Sequence, residues 1–175
     1  PRYHEPEDLM MGADTNGQPP LLVMLDGIQD PHNLGAIART ADAAGAHGLI
    51  IPERRAVGIT AGAVRASAGA LEHVKVSRVT NLNRTIERLK ETGMTVVGLA
   101  AEGDVEYTEA DYTGPVLIVV GSEGNGLSRL VRENCDQIAS IPMAGQLSSL
   151  NASVSTGLVL YEAFRQRRGQ STAKS

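Results

Sequence analysis

The chain has 175 residues, enough for one domain with a real core and too few for two comfortable ones. At 42% hydrophobic and 21% charged it has the composition of an ordinary globular protein. Aromatic residues are only 3%, with no Trp, which argues against base recognition by an aromatic stacking sheet.

The formal net charge of −4 speaks against a strongly basic nucleic-acid binder. The distribution softens that objection. Glu102, Asp104, Glu106, Glu109 and Asp111 cluster without an intervening base, and the rest of the chain is close to neutral. Of the 16 basic residues 13 are Arg, whose planar fork suits phosphate oxygens better than the Lys point charge does. Charge alone leaves both a nucleic-acid partner and a plain solvated surface open. Cys135 is the single cysteine, so there is no disulfide framework and no Cys-rich metal site; it reads as a small buried hydrophobe, and no metal is expected. No apolar run is long enough to span a bilayer, and no signal peptide is expected from the opening residues. The expected setting is the cytoplasm, with no membrane partner.

Residues 1–20 are polar and rich in Pro and Gly, and read as a linker or loosely docked arm. Leu21 to Leu25 is a short apolar run that predicts a buried strand. A helix is expected from about Leu34 to Ala44, stopped by Gly45, and a strand from Gly48 to Pro52. Thr60 to Leu71 reads as a helix capped by Thr60, and Val74 to Val79 as a strand. A helix over Leu82 to Glu91 precedes a strand over Thr95 to Ala100, and the acidic stretch reads as a loop. Val116 to Val120 is the clearest strand, followed by a short helix at Leu127 to Asn134 and a strand at Gln137 to Ile141. A final helix runs from Asn151 to about Arg168, with 169–175 as a disordered tail. Strands alternating with helices imply an α/β fold, a mostly parallel sheet with helices on both faces. Sites in such folds gather beyond the carboxyl ends of the strands.

Three unusual loops fall there. In the first, Pro31 fixes a turn and Asn33 offers itself as a helix cap, with Arg39 less than two turns beyond. An Arg on an Ala/Ile-rich helix is functional, or snorkels its charge to solvent, or is bound in a salt bridge with Asp42 or Glu162. The second loop, Gly121-Ser122-Glu123-Gly124-Asn125-Gly126, has three glycines for tight turns or close approach. Its spacing is not the dinucleotide fingerprint, no P-loop Lys follows, and Glu123 would repel a pyrophosphate. The third, Ile141 to Asn151, is either a plain capped loop or a clasp offering backbone amides, Met143 and Leu150 to an adenine.

Together the three become specific. D-x-x-x-D-P-x-N-x-G-x-x-x-R-x-A at Asp26 to Ala41, G-x-E-x-x-G at Gly121 to Gly126 and I-P-M-x-G-x-x-x-S-L-N at Ile141 to Asn151 resemble, in order, the motifs of the SpoU (TrmH-type) RNA ribose methyltransferases. The match runs from about Leu21 to Arg168. The string Ile141 to Gly145 and the Thr80-Asn81-Leu82 helix entry look closest to the branch that methylates a 23S rRNA guanosine. The resemblance implies a SPOUT α/β knot, with the C-terminal segment threaded into a deep trefoil, and a homodimer whose active site is completed across the interface. It implies a 21–168 catalytic domain, with 1–20 left from a linker that follows an RNA-binding domain in the family. The implied cofactor is S-adenosyl-L-methionine, contacted by Leu99, Ala100, Ala101, Gly121, Gly126, Ile141, Met143, Leu150 and Asn151. The implied partner is RNA, rRNA before tRNA.

The catalytic set carried by the resemblance is Asn33, Arg39, Glu123, Ser149 and Asn151. Arg39 is the family's usual activator of the 2′-hydroxyl, but a guanidinium with pKa above ~12 is a poor base. The better role is to grip the adjacent phosphate and stabilise developing alkoxide charge. Asn33, Ser149 and Asn151 would orient the nucleotide and Arg39, and Glu123 would position the loops or neutralise Arg39 locally. His32 is the one conventional base nearby, though the family pattern does not require it. Two other readings stand beside this one: a non-catalytic dimeric cofactor- or RNA-binding module, and an unrelated nucleotide-dependent α/β enzyme built on Gly121–Gly126.

Overall fold

The computed structural model describes residues 4–10, 16–28, 30–53 and 73–174. The expected Thr60–Leu71 helix lies outside the described residues. β1 (Leu21–Asp26) is apolar from Leu21 to Leu25 because both of its faces are covered. α1 (Pro31–Ala43) begins three residues before the expected start. Asp30, not Asn33, is its cap: Asp30 Oδ1 accepts the His32 N–H at 2.9 Å. The reason is Pro31, whose fixed φ and missing N–H suit the first helical position and leave the cap to its predecessor. Gly45, at φ +83°, ends the turn that follows.

β2 (Gly48–Pro52), β3 (Lys75–Val79) and α2 (Leu82–Glu91) come next, with Asn81 capping α2 through the Arg84 N–H at 3.1 Å. β4 (Thr95–Leu99), β5 (Val105–Glu106), β6 (Val116–Gly121), α3 (Arg129–Asn134), β7 (Gln137–Ser140) and α4 (Ala152–Lys174) complete the order. The sheet runs β3-β2-β1-β6-β4-β7-β5, and every named pairing is parallel. β5 was expected as loop. It adds two residues to the sheet edge against Ala139 and Ser140, too short an alternation to stand out among its acids.

Alternate residues of the central strands feed two cores. Leu21, Val23 and Leu25 join Leu34, Ile37 and Ala38 of α1 and Val159, Leu160 and Ala163 of α4. Leu22 and Met24 join Ile86 and Leu89 of α2 and Val131 of α3. That second core also holds Leu9, fully buried, from a 3-10 turn at Pro6–Met10. A Cβ at Gly48 would lie 2.9 Å from the Leu9 side chain, so glycine there makes its room. The His4 N–H donates to Val76 O at 2.8 Å and Glu7 pairs with Arg88, so this part of the arm is docked. Burying one Leu stabilises by about 1.5–3 kcal/mol, enough to hold a short segment. At the other end α4 continues to Lys174 through the stretch expected to be disordered. A single glycine costs an established helix only about 1 kcal/mol and nothing else in 169–174 breaks it.

Candidate active site at the carboxyl ends of the sheet

β4, β6 and β7 end side by side at Leu99, Gly121 and Ser140, and the chain leaves each through a loop. Between these loops lies a cavity of about 410 Å³. The second loop folds tightly enough to leave it open. The Gly126 N–H returns to Ser122 O at 2.8 Å, and Gly126 adopts φ +61°. A Cβ at Gly121 would come within 2.2 Å of the Gly126 backbone, so Gly121 has no alternative. Two of the three glycines are thus required by the turn itself.

Glu123 reaches from this loop to the third. Its Oε1 accepts the Asn151 side-chain N–H at 2.8 Å and the Ala152 N–H at 3.3 Å. Asn151 in turn caps α4, its Oδ1 accepting from Ser153 N–H at 2.8 Å and Val154 N–H at 3.4 Å. A carboxylate at the start of a 23-residue helix also meets the positive end of its dipole. Glu123 and Asn151 therefore fix where α4 begins relative to the cavity.

Ten of the residues singled out in the sequence line the cavity: Leu99, Ala100 and Ala101 after β4; Gly121, Glu123 and Gly126 in the second loop; Ile141, Met143, Ser149 and Leu150 in the third. Asn151 touches it through Glu123. Asn33 and Arg39 are not in the lining. Asn33 sits half-buried in the first turn of α1, and Arg39 is exposed with no hydrogen bond or ion pair to the described residues. Neither candidate salt bridge forms among the described residues: no ion pair joins Arg39 to Asp42, and Glu162 is engaged by Arg165 at 2.8 Å and by Gln166 at 2.8 Å. His32 is exposed at the helix start.

Sequence reasoning missed Arg132 and Ser155, which also line the cavity. Arg132 Nη2 donates to Glu102 O at 2.9 Å, joining α3 to the loop after β4. Nothing in sequence marks such a bond, since its acceptor is backbone; Ser155 could have been found, four residues past Asn151 on the same helix. Cys135 is half-buried, its thiol pushed up to about 11, mainly by burial and then by Asp136. It is a protonated packing residue at neutral pH. Among the described residues no group of His, Cys, Asp and Glu is placed to hold a metal, and no helix is long and apolar enough to cross a membrane.

The same architecture occurs in known proteins. The chain is 58% identical over 166 residues to an uncharacterized tRNA/rRNA methyltransferase of Mycobacterium sp. (strain KMS), covering 95% of this chain and 53% of that one. It is 51% identical to a TrmH family tRNA/rRNA methyltransferase of Bacillus subtilis (strain 168), covering 94% and 66%. The chain therefore spans about half to two-thirds of these relatives. Among solved structures it is similar to the SpoU methyltransferase AviRb from Streptomyces viridochromogenes in complex with AdoMet: TM-score 0.86, 34% identity, 96% of this chain and 66% of that one. It is also similar to the A. aeolicus TrmH/SpoU tRNA modifying enzyme: TM-score 0.82, 32% identity, 94% and 85%. The family model of the SpoU rRNA methylases matches residues 20–161, and the chain belongs to that family.

Proposed function

We propose that this chain is the catalytic domain of an S-adenosylmethionine-dependent methyltransferase that modifies a ribose 2′-hydroxyl of RNA. The observation that carries the reading is the cavity: the second and third motif loops meet around it and are locked together by the Glu123–Asn151 bond. Two features support the cofactor's fit. The volume of about 410 Å³ falls in the usual range for small-molecule sites. Its wall sets apolar Leu99, Ile141, Met143 and Leu150 beside glycine-lined backbone, the mixture an adenosine needs. When bound, S-adenosylmethionine supplies an electrophilic sulfonium methyl.

The chain's own part is orientation and charge. Leu99 to Ala101, Gly121, Gly126, Ile141, Met143 and Leu150 would hold the cofactor. Ser149, Asn151 and Asn33 would orient the ribose. Arg39, exposed and without a partner among the described residues, would take a phosphate and stabilise charge growing on the 2′-oxygen. Its place outside the cavity lining fits a homodimer in which it reaches the neighbouring copy's site. A stripe of exposed Val154, Leu158 and Tyr161 along α4, beginning beside Asn151, supports such a contact. The third loop leads from β7, inside the sheet, to a helix packed on α1, which suits the family's trefoil knot.

A guanosine of 23S rRNA is the substrate we propose, on the family's rRNA description and the Ile141–Gly145 string. A tRNA ribose is the second reading, favoured by the A. aeolicus tRNA modifying enzyme, most of whose length this chain covers. Titration calorimetry with S-adenosylmethionine, followed by tritiated methyl transfer to rRNA and to tRNA, tests both. Cofactor binding with label in neither RNA would instead mark a non-catalytic module.

A further inference from the structure

Two helix starts at this end of the molecule, those of α3 and α4, are held by carboxylates from elsewhere in the chain. Glu123 of the second loop holds the start of α4. Asp26, at the end of β1, does the same one step earlier. Its Oδ2 accepts the Ser128 N–H at 2.8 Å, a bond that closes 102 residues of chain. Ser128 is the cap residue of α3, yet its own side chain makes no capping bond. The acceptor comes instead from the neighbouring strand, because β1 and β6 pair in register with Asp26 opposite Gly121.

The second loop leaves β6 at Gly121 and reaches α3 at Ser128. Its bonds at Ser122, the Gly126 N–H to the carbonyl at 2.8 Å and the Asn125 N–H to Oγ at 3.4 Å, set its shape but are internal to it. The Asp26 bond ties its far end to the sheet. Immediately after Asp26, Gly27 turns at φ +80° toward the segment that carries Asp30, Asn33 and Arg39. One residue thus joins the wall of the cavity to the root of the catalytic helix.

We propose that Asp26 is a positioning residue, which sets the glycine loop against the cavity by holding Ser128 and couples that loop to the segment beginning at Asp30. The inference rests on the reading of the cavity as a cofactor site. Asp26→Ala removes the acceptor, and Asp26→Asn restores an acceptor of the same shape without the charge. S-adenosylmethionine titrated into the folded proteins, well below their melting temperatures, should bind about 10- to 100-fold more weakly to Asp26→Ala. Asp26→Asn should stay within about threefold of wild type, and saturating cofactor should recover most of the turnover lost in Asp26→Ala. A purely structural role would lower the melting temperature and leave the affinity of the folded protein alone. Affinity of Asp26→Ala within about twofold of wild type, or no rescue by Asn, overturns the proposal. Wild-type protein that fails to bind the cofactor overturns the cavity reading instead. In that event amide exchange across residues 121–128 decides on Asp26: faster exchange in Asp26→Ala supports the tie and equal rates refute it.

Discussion

Two arginines near the sheet, on the packed helices α1 and α4, have opposite surroundings. At the amino end Arg167, half-buried on α4, spends its guanidinium on backbone carbonyls: Tyr112 at 2.8 Å, Pro19 at 2.6 Å and Gly114 at 2.8 Å. Gln166, one residue earlier, adds bonds to the Tyr112 N–H and Ala110 O, both at 2.9 Å. These bonds fasten α4 to the start of β1 and to the segment leading into β6. On α1, Arg39 is exposed and bonds to none of the described residues. An arginine whose donors are consumed by fixed carbonyls is mechanical, whereas one held out on a well-packed helix is available to something that is not protein.

The contrast can be broken by exchanging losses of activity for losses of stability. Arg39→Ala should lower methyl transfer at least ~100-fold, the size expected when a transition-state charge loses its partner. Its unfolding free energy should move by less than about 0.5 kcal/mol, as for an exposed side chain without contacts. An active Arg39→Ala protein would end the catalytic reading of that helix. Arg167→Ala should do the reverse: urea unfolding should show a loss of about 2–3 kcal/mol from carbonyls left without donors, with cofactor affinity kept while the protein is folded. A smaller effect is expected at Glu123, in the loop after β6. Glu123→Ala should weaken cofactor binding about tenfold by releasing Asn151 and the start of α4, and Glu123→Gln should recover part of it because an acceptor remains. Calorimetry on the three proteins reads the order directly.

How much of this was legible follows from where each partner lies. β6 and the central strands could be read because five or six apolar residues in a row have no other use in a parallel sheet. Seven of the ten cavity residues could be read because the second and third motifs carried them, although composition and spacing alone left each loop ambiguous. Asn33 resembles a cap but does not act as one, because Pro31 at the first helical position hands the cap to Asp30, a local rule that sequence does contain. The bonds of Arg167, Arg132 and Asp26 were not legible at all. Their partners are backbone groups as many as 148 residues away, and backbone carries no sequence signature. Leu9 lay hidden for a different reason: one Leu in a polar arm has no periodicity, and its slot is made by the missing side chain of Gly48.

The amino end offers one finer test, through His47. The Leu21 N–H donates to His47 Nδ1 at 2.9 Å, and the His47 N–H returns to Leu21 O at 2.8 Å. An Nδ1 that accepts must be unprotonated, so the ring is neutral with its hydrogen on Nε2. Burial, the larger cause, and then the nearby Arg167 charge both hold its pKa below the ordinary value. The unfolded chain therefore takes up this proton at a higher pH than the folded one. The stability His47 contributes is present above its unfolded value, about 6.5, and is lost as pH falls through it toward the lower folded value. His47→Asn keeps an acceptor in the place of Nδ1 but cannot titrate. Between about pH 7.5 and pH 5.5 its melting temperature should fall less than that of wild type, by roughly 2 °C. An identical fall in the two proteins would mean that the clasp around Arg167 tolerates a second positive charge, and that its rigidity comes from the carbonyl bonds alone.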